Sequence, residues 1–275
     1  MKTINKEFTV GSKGLMTGQD SMVRCVPSNE SGIRFHFMDQ TVEAHVDNIL
    51  STDHCTVIGN EQVKIMLIEH FMAAVSFFDI DALDVYLSHY ELPILDGGSK
   101  VWVDNFSQVC ERGINQDRYR VLESMCYENK KTQLAVYPSE DFKVTYCVNF
   151  KHPELRNRWV SFNCDENDQI EEDIIKARTF GYLKDLEDLQ KAGFARGVSI
   201  ENTVGLTENG YTTELNSELE PIKHKILDLI GDFRLSGYNP LKIRANIIVK
   251  EAGHGVHIRM AKLLKDNLIK EKIEM

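Results

Sequence analysis

The sequence predicts an α+β protein of two units side by side, each a sheet covered by helices. Segments of strand character and of helical period lie in comparable amounts on either side of a polar stretch, "NQDRYRVLESMCYENKKTQ". The 275 residues suffice for one large domain or two smaller ones. The expected division is 1–118 and 119–275.

In the first unit, "GIRFHFMD" and "DALDVYLSHY" are β-rich or alternating and read as strands. "EQVKIMLIEHFMAAVSFF" reads as one largely buried helix, and "ELPILDGGSK" as a turn region bounded by Pro and Gly. In the second unit, "TQLAVYP" and "FKVTYCVNF" read as a strand pair. "GYLKDLEDLQKAG" reads as an amphipathic helix closed by Gly193. "SIENTVGLTENGYTTEL" has the form of a hairpin turning at Asn209-Gly210. A helix over 218–236 follows, then the strand "KIRANIIVKE" with Ile243, Ala245, Ile247 and Val249 directed inward, then a last helix from about 257 to 273.

Composition narrows the function classes. Net charge is −10, which disfavours nucleic acid or an anionic membrane as the main partner and leaves room for a local basic pocket. The six cysteines form no C-x-x-C pair and are too sparse for a disulfide scaffold, so reduced thiols in a cytoplasm are expected. "MKTINKEFTVGSKG" lacks the apolar core of a secretion signal. "IMLIEHFMAAVSFF" is too short and too polar to span a bilayer, so no stable membrane insertion is expected.

The chemistry-bearing residues gather in a few places. On a helix turning about 100° per residue, "HKILDLIGDF" puts Ile226, Leu227, Leu229, Ile230 and Phe233 on one broad face. His224, Lys225, Asp228 and Asp232 form a narrow stripe opposite. His224 and Asp228, four residues apart, can deliver an imidazole and a carboxylate to one metal; such pairs also occur by chance on solvated helices. Glu69-His70 sits inside an apolar run, where both groups must be paired, hydrogen-bonded or metal-bound. The alternatives are a structural ion pair, or His70 as third ligand with Glu69 as base. Three protein ligands with an open position is the catalytic zinc pattern. His254 lies between Gly253 and Gly255, which would let the backbone turn sharply and leave the ring accessible, and His257 is a neighbour of no assigned role. "KARTFGY" says little alone.

Together these stretches resemble one family. "EHFMAA", "ELPILDGGS", "ARTFGYLKDLEDLQKAG", "SIEN", "HKILDLIGD" and "AGH" match, in order and over nearly the whole chain, the zinc-dependent UDP-3-O-acyl-N-acetylglucosamine deacetylases of lipid A biosynthesis. The resemblance implies two similar α+β domains with the active site between them. Each would carry a small insert, the second lining a passage for the substrate's acyl chain. It implies zinc on His70, His224 and Asp228, with Glu69 as general base. His254 would be the acid or electrostatic partner, oriented by Asp232. Thr179 would hold the developing oxyanion, Lys225 would meet the substrate's phosphate region, and Phe180 would pack on the sugar. The implied partner is a UDP-linked acylated amino sugar, the implied state a cytoplasmic monomer.

The pattern departs at three places. Met16 stands where the family commonly has histidine, Leu67-Ile68 where it has Thr-Val, and Pro221 where an aromatic is common. A paralogue deacetylating another N-acylated amino sugar, and a non-catalytic sugar-nucleotide binder on the same fold, are the alternatives.

Overall fold

The computed structural model describes residues 1–164 and 168–271. Four strands open the chain: β1 (Phe8–Lys13), β2 (Asp20–Pro27), β3 (Gly32–Phe37) and β4 (Gln40–Glu43). A small sheet of β5 (Ile49–Ser51), β6 (Val57–Gly59) and β7 (Lys64–Met66) follows, then α1 (Glu69–Phe77), β8 (Ala82–Leu87) and α2 (Lys100–Ser107). The second half begins with β9 (Tyr119–Val121), β10 (Met125–Asn129), β11 (Thr132–Pro138), β12 (Phe142–Val148) and β13 (Arg158–Asn163). Next come α3 (Asp168–Ile175), β14 (Thr179–Tyr182), α4 (Leu186–Lys191) and β15 (Thr203–Leu206). The chain closes with α5 (Glu220–Arg234), β16 (Ile243–Lys250), α6 (His254–Lys265) and β17 (Leu268–Lys270).

The two halves share one topology. The first sheet runs β1-β2-β8-β3-β4, and the main path of the second runs β10-β11-β16-β12-β13. In each, the central strand arrives last. β8 pairs antiparallel with β2 and parallel with β3; β16 pairs antiparallel with β11 and parallel with β12. A helix precedes each central strand, α1 before β8 and α5 before β16, and a helix follows each. The inserts also correspond: β5–β7 lie between β4 and α1, and α3–β15 between β13 and α5.

Inward alternation explains which residues hold the sheets to the helices. Ile243, Ala245, Ile247 and Val249 of β16 are buried as expected. Phe71 of α1 meets Phe35 of β3 edge-on at 5.6 Å and Trp102 of α2 at 5.0 Å. One buried apolar cluster runs from the first sheet through the helices to the second. At its centre α1 packs on α5. Gly231 makes this possible: a Cβ there would stand 1.9 Å from the carbonyl oxygen of Glu69.

Several local expectations are corrected. The helix expected over 61–78 is a strand followed by a shorter helix, because Leu67 turns left-handed (φ 64°) between β7 and Glu69. A continuous apolar run does not distinguish the two states, and Val63 and Ile65 favour the strand. β11 and β12 are not a pair; β16 enters between them from about a hundred residues downstream in sequence order. Gly181 and Tyr182 belong to β14, leaving α4 short, although Gly193 (φ 94°) does follow its end. At Asn209-Gly210 the chain reverses with one bridge, Leu206 to Tyr211, while β15 pairs along its length in parallel with β14. The polar stretch between the two units holds β9 and β10. The last helix starts at His254 and gives way to β17; residues 272–273 of the expected helix lie outside the described residues.

The close approach yields a first prediction. Gly231→Ala should destabilise the protein by about 1–3 kcal/mol, because the helices must part to admit the methyl group. Without the contact, alanine would instead stabilise an α-helix by about 1 kcal/mol. The sign of the shift in urea midpoint decides.

Candidate active site

Three helix segments deliver the site. The left-handed Leu67 starts α1 abruptly, so Glu69 and His70 occupy its first turn, facing α5. Along α5 the stripe of His224, Asp228 and Asp232 is buried rather than solvated. His254 is the first residue of α6. Its flanking Gly253 is extended (φ −141°), a conformation any residue adopts; the left-handed residue is Glu251 (φ 50°), which corrects the turn expected at the glycines.

A strand of the second insert supplies the remaining residues. The Thr179 amide donates to the Gly97 carbonyl at 2.7 Å, and a Cβ on Gly97 would stand 1.7 Å from the carbonyl oxygen of Asn202. The "DGG" turn thus lets the second insert close onto the first half. Arg178 fixes the same strand to the start of α5: its backbone amide and Nε each donate to Glu220 Oε1 at 2.9 Å, inside the protein.

Together these elements set His70 Nε2 3.5 Å and His224 Nε2 3.3 Å from Asp228 Oδ1. His224 Nδ1 donates to the Ala177 carbonyl at 2.9 Å, which leaves Nε2 as the ring's lone-pair atom toward the site. Asp228 Oδ1 is buried without a hydrogen-bond partner, while Oδ2 accepts from Lys225 Nζ at 2.7 Å. Lys225 therefore lies on a site carboxylate as well as lining the cleft. Glu69 Oε2 accepts from the Thr56 amide at 3.1 Å, and Oε1 lies 3.8 Å from His254 Nε2. His254 Nδ1 donates to Asp232 Oδ2 at 2.8 Å.

Protonation follows from these neighbours. Burial pushes the Glu69 carboxyl above its ordinary range, and His254 and His70 only partly offset this. Burial alone would also raise Asp228, but the charges of Lys225 and His254 hold it well below the usual carboxylate range. Burial disfavours a charged His254, yet Asp232 and Asp228 outweigh it and lift the ring to about 9. Burial takes His224 down to about 3, so its ring is neutral. The site thus places a weakly acidic carboxyl beside a cationic imidazole, the pairing that acid–base chemistry needs.

The donor set fits a divalent metal. The ligand atoms of His70, His224 and Asp228 lie within 4.8 Å of one another. Asp232, His254 and His257, and Glu69, Asp228 and His254, meet the same spacing. The first set is favoured over the second because Asp228 Oδ1 has no partner, whereas Asp232 already accepts from Thr56, His254 and His257. Two imidazoles and one carboxylate with an open side suit zinc.

Two connected spaces open from these residues. A polar cleft of about 100 Å³ is lined by Glu69, His70, Thr179, Phe180, Lys225 and His254, among others. It adjoins an apolar cavity of about 290 Å³ whose lining includes Met16, Leu183, Leu186, Phe194 and Ile200. Leu15, His54, Thr179 and Phe180 line both. Of the three departures, Leu67 borders the cleft, Met16 the cavity, and Pro221 neither: it is buried in the first turn of α5.

Residues 1–266 match the family described as UDP-3-O-acyl N-acetylglycosamine deacetylase. The chain belongs to this family. Among similar family members, the UDP-3-O-acyl-N-acetylglucosamine deacetylase of Thermodesulfovibrio yellowstonii is 30% identical over 96% of this chain and 91% of its own length. The protein of that name from Leptospira biflexa is 31% identical over 96% and 89%, and that from Francisella tularensis 32% over 86% and 87%. Membership makes the chain a hydrolase of the deacetylase type with a mixed α+β fold.

Sequence reasoning missed Thr56, Tyr146 and the place of His257. His257 had a signal, its i,i+3 spacing from His254 on one helix face; Thr56 had none.

Removing one proposed ligand should empty the metal site. His224→Ala and Asp228→Ala, equilibrated with zinc and then dialysed, should retain little of the metal the parent holds. Parental zinc content in both variants, by elemental analysis, would refute the ligand set.

Proposed function

We propose that this chain hydrolyses the N-acetyl group of UDP-3-O-acyl-N-acetylglucosamine, releasing acetate, as an early step of lipid A biosynthesis. The observation that carries the reading is the unpartnered Asp228 Oδ1 facing two imidazole Nε2 atoms, with Glu69 and His254 beside it in a cleft that opens into an apolar cavity. In this reading the site lies between units 1–118 and 119–275. The amino sugar occupies the cleft and the acyl chain the cavity.

His70, His224 and Asp228 would hold zinc. When bound, the ion polarises the acetamide carbonyl and makes water more acidic. Glu69 takes a proton from the attacking water; its raised pKa makes it the stronger base. The amide C–N bond breaks as His254 gives its proton to the departing nitrogen, and the acetyl group leaves as acetate. Asp232 keeps His254 charged and oriented. Thr179 donates to the oxyanion, Phe180 packs on the sugar, and Lys225 draws the diphosphate. No described helix is long and apolar enough to cross a membrane. With six cysteines that form no disulfide among the described residues and a nucleotide-sugar substrate, a reducing cytoplasm fits this reading.

Met16 favours a second reading, activity on another N-acylated amino sugar, because it offers a thioether to the cavity where the family has a hydrogen-bonding ring.

Two outcomes test the proposal. Glu69→Gln should keep its metal and lose about 10²–10⁴-fold in turnover, the usual contribution of general-base catalysis; near-normal turnover with full metal removes the base role. The parent should prefer the UDP-acyl sugar to unacylated UDP-N-acetylglucosamine by kcat/KM, and Met16→His should gain on the former. A parental preference for the unacylated sugar would replace the lipid A assignment with the paralogue reading.

A further inference from the structure

Asp232 accounts for His254, but His257 has no part in the proposed reaction. It is 0% exposed. Its Nδ1 lies 2.9 Å from Asp232 Oδ2, the same oxygen that accepts from His254 Nδ1 at 2.8 Å. The two rings stand 78° apart in plane, so they reach that oxygen from different directions. Thr56 Oγ1 donates to the other oxygen, Oδ1, at 2.5 Å. On its far side His257 Nε2 is 3.0 Å from the hydroxyl of Tyr146, on β12, whose single proton is shared between that ring nitrogen and the Ala252 carbonyl at 2.7 Å. Tyr146 is fully buried against α6, its ring edge-on to His257 at 5.9 Å.

A carboxylate only accepts, so both imidazoles carry their proton on Nδ1. For His254 this leaves Nε2 as the atom facing the cleft, 3.8 Å from Glu69 Oε1 and 3.9 Å from Asp228 Oδ2. The orientation of that ring is only as firm as the carboxylate beneath it. Thr56 alone would pin Asp232 at one oxygen and leave the other free to swing about that contact. A second donor on Oδ2, itself anchored through Tyr146 to the second sheet, removes that freedom.

We propose that His257, braced by Tyr146, is a positioning residue: it locks Asp232 in the one orientation that aims His254 Nε2 into the cleft. This rests on the deacetylase reading for its kinetic consequence, but not for its geometry. A residue needed only for packing would change stability, and any hydrogen-bonding replacement would serve no better than an apolar one.

The test compares zinc-loaded parent, His257→Leu, His257→Asn and Tyr146→Phe. Asparagine can place its Nδ2 where the histidine Nδ1 stood, and leucine cannot. In His257→Leu, kcat on the UDP-acyl sugar should fall at least about tenfold, within the hundredfold that a misplaced catalytic group costs. KM and zinc content should stay near parental. His257→Asn should recover most of kcat, and Tyr146→Phe should fall between. Proton NMR gives a readout free of turnover: two imidazole N–H protons hydrogen-bonded to Asp232 should resonate far downfield in the parent. In both His257 variants one should vanish, and in His257→Leu the His254 proton should broaden or move upfield. Parental kcat in a folded His257→Leu, equal loss in the leucine and asparagine variants, or an unmoved His254 signal overturns the proposal. If His257→Leu does not fold, parental kcat in Tyr146→Phe together with an unmoved His254 signal in that same variant does so. A parent inactive on the UDP-acyl sugar would sink the deacetylase reading, and the NMR comparison would still decide the positioning role.

Discussion

Helices α1 and α5 cross with Gly231 against the backbone of Glu69, and that approach sets the distance between the two halves of the site. Glu69 and His70 come from one helix, His224, Asp228 and Asp232 from the other. Any side chain at that position would hold the helices further apart and so move Glu69 and His70 away from the α5 residues they face. The turn at Gly97, packed on the Asn202 carbonyl, repeats the device a short way off and brings Thr179 and Phe180 over the same cleft.

Bringing so many ionisable groups out of water is costly unless each is answered by another. Glu69, His70, His224, Asp228 and Asp232 are all buried. Asp228 is held ionised by Lys225 and His254, and Asp232 by His254 and His257, although burial favours the neutral acids. The same carboxylates keep His254 charged. The cluster is therefore one interdependent unit. The buried Arg178–Glu220 pair performs the corresponding service for the strand that carries Thr179.

How much of this could be read from the sequence depended on the range of the interaction. The α5 stripe was legible because helix period places His224 above Asp228 whatever the tertiary context. Glu69-His70 was legible as a polar pair where water could not reach. β16 was legible by its strict alternation. The left-handed Leu67 was not, since no local preference announces that conformation for leucine. Nor was the entry of β16 between β11 and β12, a pairing set by contacts distant in sequence. Thr56 joins the site only because the first insert folds back onto α1, donating its amide to Glu69 and its hydroxyl to Asp232. The repeated topology was expected only through the family resemblance; at the level of residues the two halves share no visible pattern.

Both inserts occupy the same slot in their respective halves, after the fourth strand of the sheet and before the helix that leads to the central strand. Because α1 and α5 meet face to face, that slot brings both inserts to one rim: His54 arrives from the first, and Phe180, Phe194 and Ile200 from the second. The architecture separates two kinds of change. The paired helices meet at a spacing that tolerates little alteration, while the rim is made of segments that neither sheet needs for its own closure. A change confined to the rim would therefore alter the shape and lining of the cavity without altering the distance between the paired helices.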